Sequence, residues 1–328
     1  MEAIWDIGLK IIHAIQSVEC KPLTWLANFF HYGFNVPIYL LLMTYLLWCK
    51  STKAAIFASC SLIFSNFAND SIKSTLKVAR PYVRDPSVFR GMTEPTYSTP
   101  SGHSASSASF FPVMAAVYPN WKRVWRILVA ILLPVLVALS RCYIGVHYPT
   151  DVLGGLMLGY IVSAGVIMFG EKISSIVIKL RPSLLMLICT RICVGFNAIS
   201  MENVAMSGLF MGICGGQLLL NKAGGFDATT GTKKQKVLRY LLGLVIVGIV
   251  YLAGKLLSPG EQSAYYNLIR FVRYGACGIG ATYVCPMLFI KLKLGEKSPA
   301  PPEVDGSGSA ADSEVNDASA KSDEVDDK

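Results

Sequence analysis

The stretch SRCYIGVHYPTDVLGGLMLGYIVSAGVIMFG, Ser140–Gly170, joins a short polar motif to a long apolar run. The run from Val152 to Met168 has no charged residue, and it approaches the ~20 apolar residues that a membrane-spanning helix needs. The motif directly before it carries Arg141, His147 and Asp151. The stretch therefore predicts a spanning helix with polar groups gathered where the helix begins.

Similar apolar runs recur along the chain. Its 328 residues are 53% hydrophobic and 16% charged, whereas an ordinary soluble domain is charged at about 25% of its positions. We therefore expect an all-α fold, a polytopic integral membrane helical bundle. The predicted spans are 34–49, 54–69, 104–119, 126–146, 151–170, 174–199, 202–220, 237–256 and 267–291. The span 174–199 is the weakest, because Lys179, Arg181 and Arg191 interrupt it.

The two ends of the chain differ from this pattern. Ile4, Ile7, Ile11, Ile15 and Val18 recur at helical spacing, so residues 1–33 should begin with an amphipathic helix lying in the membrane interface. The start has no secretory signal pattern. Residues 294–328 are rich in Pro, Ser, Ala, Asp and Glu, which predicts a disordered acidic tail.

Charge is unevenly distributed between the tail and the rest of the chain. The net charge is +9, but residues 303–328 contain nine acidic and two basic residues. The basic remainder suits a membrane protein, whose lysines and arginines gather in cytoplasmic loops, better than a nucleic-acid-binding protein. The loops at 50–53, 122–126, 171–172, 233–239 and 291–293 all fall on one side if the spans alternate. That side is predicted to be cytoplasmic, and no nucleic acid partner is expected.

The nine cysteines do not indicate a metal site or disulfide framework. They contain no CxxC pair, and most lie inside apolar runs, where cysteine behaves as a small hydrophobic residue. No metal and no cofactor is predicted.

The loop at 70–103 breaks the charge rule, because it is basic although it falls on the opposite, outer side. Arginine offers a planar fork of donors to phosphate, and lysine offers a point charge. Lys73 and Arg80 are seven residues apart, or two helical turns, so they are predicted to lie on one face of a helix that ends at Pro81. A solvated basic loop and an anion site are both compatible with this pattern.

A helix start is predicted in the sequence PSGH that follows. After Pro100, Ser101, Gly102 and His103 precede an apolar run, and the free amides at a helix N-terminus bind anions. Gly102 would let the backbone approach a ligand closely. The small residues that follow should let the helix pack closely against a neighbour.

The third polar element is the motif quoted at the outset. Asp151 could orient one nitrogen of His147 and leave the other free as a nucleophile. Asp151 could equally cap the following helix, with His147 a polar residue at the interface, and the two roles can coexist. His13 and His31 are interpreted as interfacial residues.

Together, the three elements resemble the type 2 phosphatidic acid phosphatase superfamily, which includes lipid phosphate phosphatases, glucose-6-phosphatase and vanadium haloperoxidases. Its three signature motifs are matched by Lys73-x6-Arg80-Pro81, by the PSGH sequence ending at His103, and by Ser140-Arg141-x5-His147-x3-Asp151. The resemblance covers residues 34–170, so it implies a six-helix phosphatase core there. Residues 171–293 would be additional transmembrane helices.

The resemblance also implies roles for these residues. His147 would attack phosphorus and form a phosphohistidine, Asp151 would orient it, and His103 would protonate the leaving oxygen. The phosphoryl oxygens would be held without metal by a set of five residues: Lys73, Arg80, Ser101, Gly102 and Arg141. Phosphoryl transfer needs mainly positioning and charge stabilisation, which fixed cations can supply.

The expected protein is thus a multi-pass protein of the plasma (inner) membrane that dephosphorylates a membrane lipid phosphate or diphosphate. Its active site would lie on the outer, periplasmic face, and its acidic tail in the cytoplasm. Three alternatives remain open: a glucose-6-phosphatase-like enzyme for soluble phosphate esters, a lipid-binding or transport protein that retains the motifs, and, more remotely, a peroxidase.

Overall fold

The computed structural model describes residues 2–18 and 20–298, and these residues are largely helical without a β-strand. Pro or a capping side chain starts most of the long helices. The helices are α1 (Glu2–Gln16), α2 (Lys21–Gly33), α3 (Val36–Cys49), α4 (Thr52–Leu76), α5 (Pro81–Arg84), α6 (Gly102–Val117), α7 (Arg123–Ile127), α8 (Leu133–Ile144), α9 (Pro149–Val177), α10 (Pro182–Ile199), α11 (Val204–Lys222), α12 (Lys233–Leu256), α13 (Tyr266–Ile279) and α14 (Cys285–Lys291). Short π-helical segments join α7 to α8 and α13 to α14.

The prediction of an all-α membrane bundle is confirmed. Five helical segments of the described chain are long and apolar enough to cross a membrane, or six if α2 and α3, which meet at a bend of 56°, form one span. Exposed apolar side chains follow one stripe of α12, at Leu241, Val245, Ile249 and Leu252. Such a stripe suits contact with lipid chains, which require no polar partner.

Each of the nine predicted spans has a helix, but the boundary near residue 174 was wrong. The helix α9 continues to Val177, a turn carries Lys179, and α10 begins only at Pro182. The physical reason is local. Proline is favoured in the first turn of a helix and disfavours helical backbone in the residue before it, so Arg181 is extended. Two of the three charges that weakened this span therefore lie outside the helix.

The close crossing of α6 and α9 forms the centre of the fold. A Cβ atom at Gly155 would lie 2.4 Å from the carbonyl oxygen of Ser101, and one at Gly159 would lie 2.4 Å from that of Ala105. Glycine at these two positions, four residues apart, lets the backbones approach as in other membrane helix pairs. The small residues of α6 complete this contact, as the sequence predicted, so the starts of α6 and α9 are held together.

Hydrogen bonds between helices attach α4 to the same pair. Ser61 donates to the carbonyl oxygen of Ser109 at 2.8 Å, and Ser65 donates to that of Ala105 at 3.3 Å. All these groups are buried, where an unpaired hydroxyl would be costly. The end of α4 is thereby placed beside the starts of α6 and α9, and we call this end of the bundle the site end.

The first helix lies across the site end and uses two faces. The predicted apolar stripe is exposed at Ile4 and Ile7, as an interfacial helix requires. The other face of the helix packs on the protein through Ile12 and Gln16, which are buried. Gln16 donates to the carbonyl oxygens of Val88 and Tyr143. The helix α1 therefore joins the 86–88 segment to the end of α8.

The predicted lysine-rich loops do meet at the end of the bundle opposite the site end. Lys53 pairs with Glu171 at 2.6 Å, and Gln235 donates to the carbonyl oxygen of Lys293. Nearby, Arg239 is fully buried and donates to three backbone carbonyl oxygens, of Ala228, Thr230 and Leu294.

The described structure continues past residue 294, where the acidic tail was predicted to begin. Asp227 forms a β-bridge with Glu296, and Gly295 packs against Phe226, so residues 294–298 belong to the helical body. The remainder of the predicted acidic tail, residues 299–328, lies outside the described residues. All nine cysteines lie within them and are free.

Candidate active site

Asp151 faces His147 at the start of α9. Its Oδ2 atom accepts hydrogen bonds from the Tyr148 amide at 2.8 Å and from the Ser98 hydroxyl at 2.6 Å, and its Oδ1 atom accepts one from Thr99. The same Oδ2 lies 3.6 Å from Nδ1 of His147, within ion-pair distance although longer than a hydrogen bond. Asp151 therefore caps α9 and also faces the imidazole, as the two predicted roles require.

A tight turn after α8 places His147 at this position. Gly145 ends α8 with a φ of 81°, and a Cβ atom there would lie 2.2 Å from the carbonyl oxygen of Val88. Both the left-handed backbone and the close approach require glycine.

Arg80 determines which nitrogen of His147 carries the proton. Its Nη1 atom donates to the carbonyl oxygen of Val146 at 3.0 Å and lies 3.3 Å from Nε2 of His147. A guanidinium can only donate, so Nε2 accepts and the proton of the neutral ring sits on Nδ1, facing Asp151. Burial holds the pKa of His147 well below its ordinary value, although the Asp151 carboxylate opposes this shift. Nε2 is therefore unprotonated near neutral pH, and its lone pair faces Arg80.

Lys73 and Arg80 both reach this site, but the prediction that one helix carries them was wrong. The helix α4 ends before Lys77, whose φ of 50° is left-handed, and Arg80 is extended because it precedes Pro81. Pro81 begins the short helix α5 instead of ending α4. Lys73 donates to the carbonyl oxygen of Tyr97 at 3.1 Å, and Arg80 reaches the site from the extended connection.

The helix α6 begins where the sequence predicted. Ser101 is fully buried and caps it, accepting hydrogen bonds from the Ser104 amide at 3.4 Å and from the Ser104 hydroxyl at 3.0 Å. The peptide bond between Thr99 and Pro100 is cis. His103 lies in the first turn, and its Nε2 atom is buried with no hydrogen-bond partner among the described residues.

Gly102 leaves open space beside the backbone. A Cβ atom there would meet only Oδ1 of Asn69, at 3.5 Å, which is ordinary contact. Asn69 itself is buried and donates to the carbonyl oxygen of Pro100 at 3.3 Å. Packing within the protein thus does not require glycine at this position, and the space is free for a ligand.

Arg141 is fully buried at the end of α8 and bonded to Glu94. Its Nη2 atom donates to Oε1 of Glu94 at 2.7 Å, while Oε2 of Glu94 lies 4.0 Å from Nη2 of Arg80. The hydroxyl of Tyr82 lies 3.2 Å from both the amide nitrogen and the carbonyl oxygen of Glu94. A backbone contact thus fixes this residue, with its carboxylate beside two predicted phosphate ligands.

His31, from the end of α2, completes the cluster. Its Nδ1 atom accepts a hydrogen bond from Nη1 of Arg141, and its ring stacks on that of His103 with the centroids 5.8 Å apart and the planes 21° apart. The interpretation of His31 as an interfacial residue did not anticipate these contacts with two predicted site residues. His13, in contrast, is exposed and bonded to Asp85, as a residue on a wetted face should be.

All eight predicted site residues are thus brought to one end of the bundle, and two more join them. Glu94 had one signal in the sequence, because it is the single acidic residue between Asp85 and Asp151. His31 had none beyond being one of four histidines, since the fold alone brings α2 beside Arg141 and His103.

The cluster fits an anion better than a metal ion. His31, Glu94 and His103 each offer one ligand atom, and these atoms lie within 4.8 Å of one another. Two imidazoles and a carboxylate would suit zinc. However, Arg141 is bonded to both His31 and Glu94, and Arg80 adds a second positive charge, so a cation would meet strong repulsion.

Comparison with known proteins identifies two sequence profiles that match this chain. The sequence profile of the PAP2 superfamily matches residues 54–174, and that of the PAP2 superfamily phosphatase transmembrane extension matches residues 204–297. The first range contains every predicted site residue, whereas His31 lies outside it.

Curated relatives match shorter stretches. Phosphatidylglycerophosphatase B of Bacillus subtilis is 41% identical over 88 residues, which is 24% of this chain and 42% of that protein. The undecaprenyl-diphosphatase of Sulfolobus acidocaldarius is 30% identical over 125 residues, or 38% of this chain and 57% of that one. The lipid A 1-phosphatase of Rhizobium johnstonii is 33% identical over 104 residues, which is 30% of this chain and 41% of that protein. The chain thus spans about half the length of these relatives or less.

A solved structure is also similar. The crystal structure of a transmembrane PAP2-type phosphatidylglycerolphosphate phosphatase from Bacillus subtilis has a TM-score of 0.46 and 25% sequence identity, and the match covers 53% of this chain and 89% of that one.

Fold and site define the class: a multi-pass helical membrane protein with histidines, arginines and a lysine clustered at one end of its bundle. The two profile matches, which together cover about two thirds of the sequence, assign the chain to the PAP2 superfamily, with the transmembrane extension after the core.

Proposed function

We propose that this protein is a phosphatase of membrane lipid phosphates or diphosphates that works through a phosphohistidine and without a metal. One observation carries the mechanism: Arg80 fixes the His147 tautomer so that the Nε2 lone pair faces the cationic cluster, while Nδ1 faces Asp151. The names of the relatives, which are phosphatases of lipid phosphates and diphosphates, support the substrate class.

The first step transfers the phosphoryl group to the protein. Nε2 of His147 attacks phosphorus, an N–P bond forms, and the bond from phosphorus to the leaving oxygen breaks. His103 gives its proton to that oxygen, and Asp151 stabilises the charge that develops on the imidazole. Lys73, Arg80 and Arg141 neutralise the phosphoryl oxygens, with Ser101 and the amide of Gly102 as further donors.

The second step restores the enzyme. A water molecule gives a proton to His103 and attacks phosphorus, the N–P bond breaks, and inorganic phosphate leaves. His147 regains its lone pair and His103 its proton, so no metal or cofactor enters the balance. Fixed cations supply the charge stabilisation that Mg²⁺ provides in many phosphoryl-transfer enzymes.

The proposed location is a plasma (inner) membrane with the site on the outer face. The lysine-rich loops gather at the opposite end of the bundle, which the positive-inside rule assigns to the cytoplasm. A lipid phosphate in the outer leaflet could then reach an interfacial site from the side. A soluble ester would need no such placement, and this favours the lipid substrate over the glucose-6-phosphatase-like alternative.

Phosphate release from a panel of detergent-dispersed lipid phosphates tests this function. The purified protein should release phosphate in the presence of EDTA, and His103→Ala and His147→Ala should each abolish release. His13→Ala is the matched control, because His13 is exposed and lies outside the cluster. Rapid quenching with a ³²P-labelled substrate should trap acid-labile label on the protein, but not on His147→Ala.

Three outcomes would contradict the proposal. Full activity in His147→Ala would exclude His147 as the nucleophile. Loss of activity in EDTA, restored by zinc or magnesium, would exclude a metal-free mechanism. Absence of phosphate release from every lipid would favour a binding or transport protein.

A further inference from the structure

We propose that His31 and Arg141 form a second anion subsite, on the leaving-group side of the reacting phosphorus, that binds the inner phosphate of a lipid diphosphate. This inference rests on the proposed function and specifies its substrate. It assigns a role in recognition to α2, which lies outside the matched core profile.

The position of His31 follows from the geometry of displacement. The attacking and leaving oxygen or nitrogen atoms lie roughly in line through phosphorus, so the leaving group lies on the side away from His147. His103 is the proposed proton donor on that side, and the ring of His31 stacks directly on it. Whatever follows the leaving oxygen therefore lies next to His31.

The hydrogen bonding of His31 leaves a donor free at this place. Nδ1 of His31 accepts from the guanidinium of Arg141, so the proton of the neutral ring is on Nε2. None of the residues that the structure describes accepts a hydrogen bond from that Nε2. Arg141 contributes further N–H groups, and its Nε is likewise unpaired within the described chain.

Glu94 places a carboxylate against Arg141 at this position. Its carboxylate accepts from Arg141 at 2.7 Å but lies 4.0 Å from Arg80, so it sits nearer the leaving side than the nucleophile. It also lies within 4.8 Å of ligand atoms of His31 and His103. A carboxylate and a phosphate accept from the same donors. Glu94 thus occupies the subsite when no substrate is bound. Its side chain is partly exposed, so it can rotate away when a phosphate binds.

The chemistry of the leaving group determines the substrate. An alkoxide that leaves from a monophosphate needs one proton, which His103 supplies. A lipid monophosphate that leaves from a diphosphate is a stable anion that needs charge pairing and hydrogen-bond donors instead. Arg141 and His31 supply both, so the subsite should favour diphosphates over monophosphates.

The test compares farnesyl diphosphate with farnesyl monophosphate, which share one lipid chain. In His31→Asn, the amide can still accept from Arg141 but no longer reaches as far as Nε2. We expect kcat/KM to fall at least about tenfold for the diphosphate, as for loss of one hydrogen bond to a charged group, and to change less than about threefold for the monophosphate. His31→Gln, whose amide reaches the Nε2 position, should recover part of the loss, and His13→Asn is the matched control.

A binding measurement with Glu94→Gln should show a gain in affinity, whereas His31→Asn should show a loss. Methylenediphosphonate, which is not hydrolysed, should bind more tightly to Glu94→Gln than to the native protein, because a competing carboxylate is gone. It should bind more weakly to His31→Asn, while orthovanadate binding changes little in His31→Asn. Thermal unfolding of each variant in detergent checks that it is folded.

Specific outcomes would overturn the subsite. These are an equal loss for both farnesyl substrates in His31→Asn, no loss for either, or weaker methylenediphosphonate binding in Glu94→Gln. If the native protein hydrolyses the monophosphate alone, the subsite is excluded and the proposed function stands. If it hydrolyses neither of these substrates nor any other lipid of the panel, the proposed function fails, and methylenediphosphonate binding still decides whether the subsite exists.

Discussion

At the scale of single residues, the chemistry of His147 depends on two neighbours that contact opposite nitrogens of its ring. Arg80 directs donors at Nε2, and Asp151 lies opposite Nδ1. The spacing of His147 and Asp151 could be read from the sequence, and so could the capping role of Asp151. The tautomer could not, because it depends on Arg80, which arrives from a segment 67 residues earlier in the chain.

A histidine titration tests this arrangement. Burial lowers the pKa of His147, so its imidazole should stay neutral as pH falls from 8 to 5, and the proposed nucleophile should stay unprotonated at Nε2 over that range. Proton NMR of the detergent-solubilised protein can measure this, since only four histidines contribute. The signal that disappears in His147→Ala should not shift between pH 5 and 8. A midpoint near the ordinary value of about 6.5 would show the prediction to be wrong.

At the scale of elements, the pairing of α6 with α9 brings together the two histidines that are proposed to be catalytic. Neither helix has a site alone, because His103 lies at the start of one and His147 directly before the start of the other. The glycine pair Gly155 and Gly159 sets the distance between them. Sequence analysis predicted close packing of α6 from its small residues but did not identify α9 as the partner, because local composition does not encode which helices pair.

A single methyl group should disturb this crossing. Gly155→Ala places a Cβ atom 2.4 Å from the Ser101 carbonyl oxygen, which forces the helices apart. We expect the free energy of unfolding to fall by about 1–3 kcal/mol, as for other overpacked sites, with a loss of phosphate release. Gly165→Ala is the matched control on the same helix, because a Cβ atom there meets nothing within 4 Å. Thermal unfolding in detergent and the phosphate assay should separate the two variants, and equal behaviour would contradict the role of the crossing.

At the scale of the whole molecule, the two ends of the bundle carry different kinds of basic side chain. Lys53 and Lys293 lie opposite the site end, where their loops contact the 171–172 and 233–239 loops. The positive-inside rule predicts such lysine-rich loops for a cytoplasmic surface. Lys73, Arg80 and Arg141 gather at the site end and are buried. Burial of three cations at a membrane surface is costly, and the proposed anionic substrate would offset that cost.

One native cysteine can report the orientation. Cys20 is the exposed cysteine among the nine, and it lies between α1 and α2 at the site end. A membrane-impermeant maleimide should label it in intact cells if the site faces outward. In Cys20→Ser carrying Lys50→Cys, at the other end of the bundle, labelling should appear only after permeabilisation. The reverse pattern would place the site on the cytoplasmic side.

The sequence by itself predicted the membrane fold, a helix in each of nine apolar runs, and the eight residues proposed for the chemistry. It could do so because apolar run length and short-range motif spacing are local properties of the chain. It did not predict that only five or six helical segments of the described chain are long and apolar enough to cross a membrane. Only the tertiary structure decided that Arg80 leaves the helix of Lys73, that α9 packs on α6, and that His31 and Glu94 join the site. These features depend on backbone breaks and on contacts between distant segments, where close packing and the pairing of buried charges select partners that no local pattern specifies.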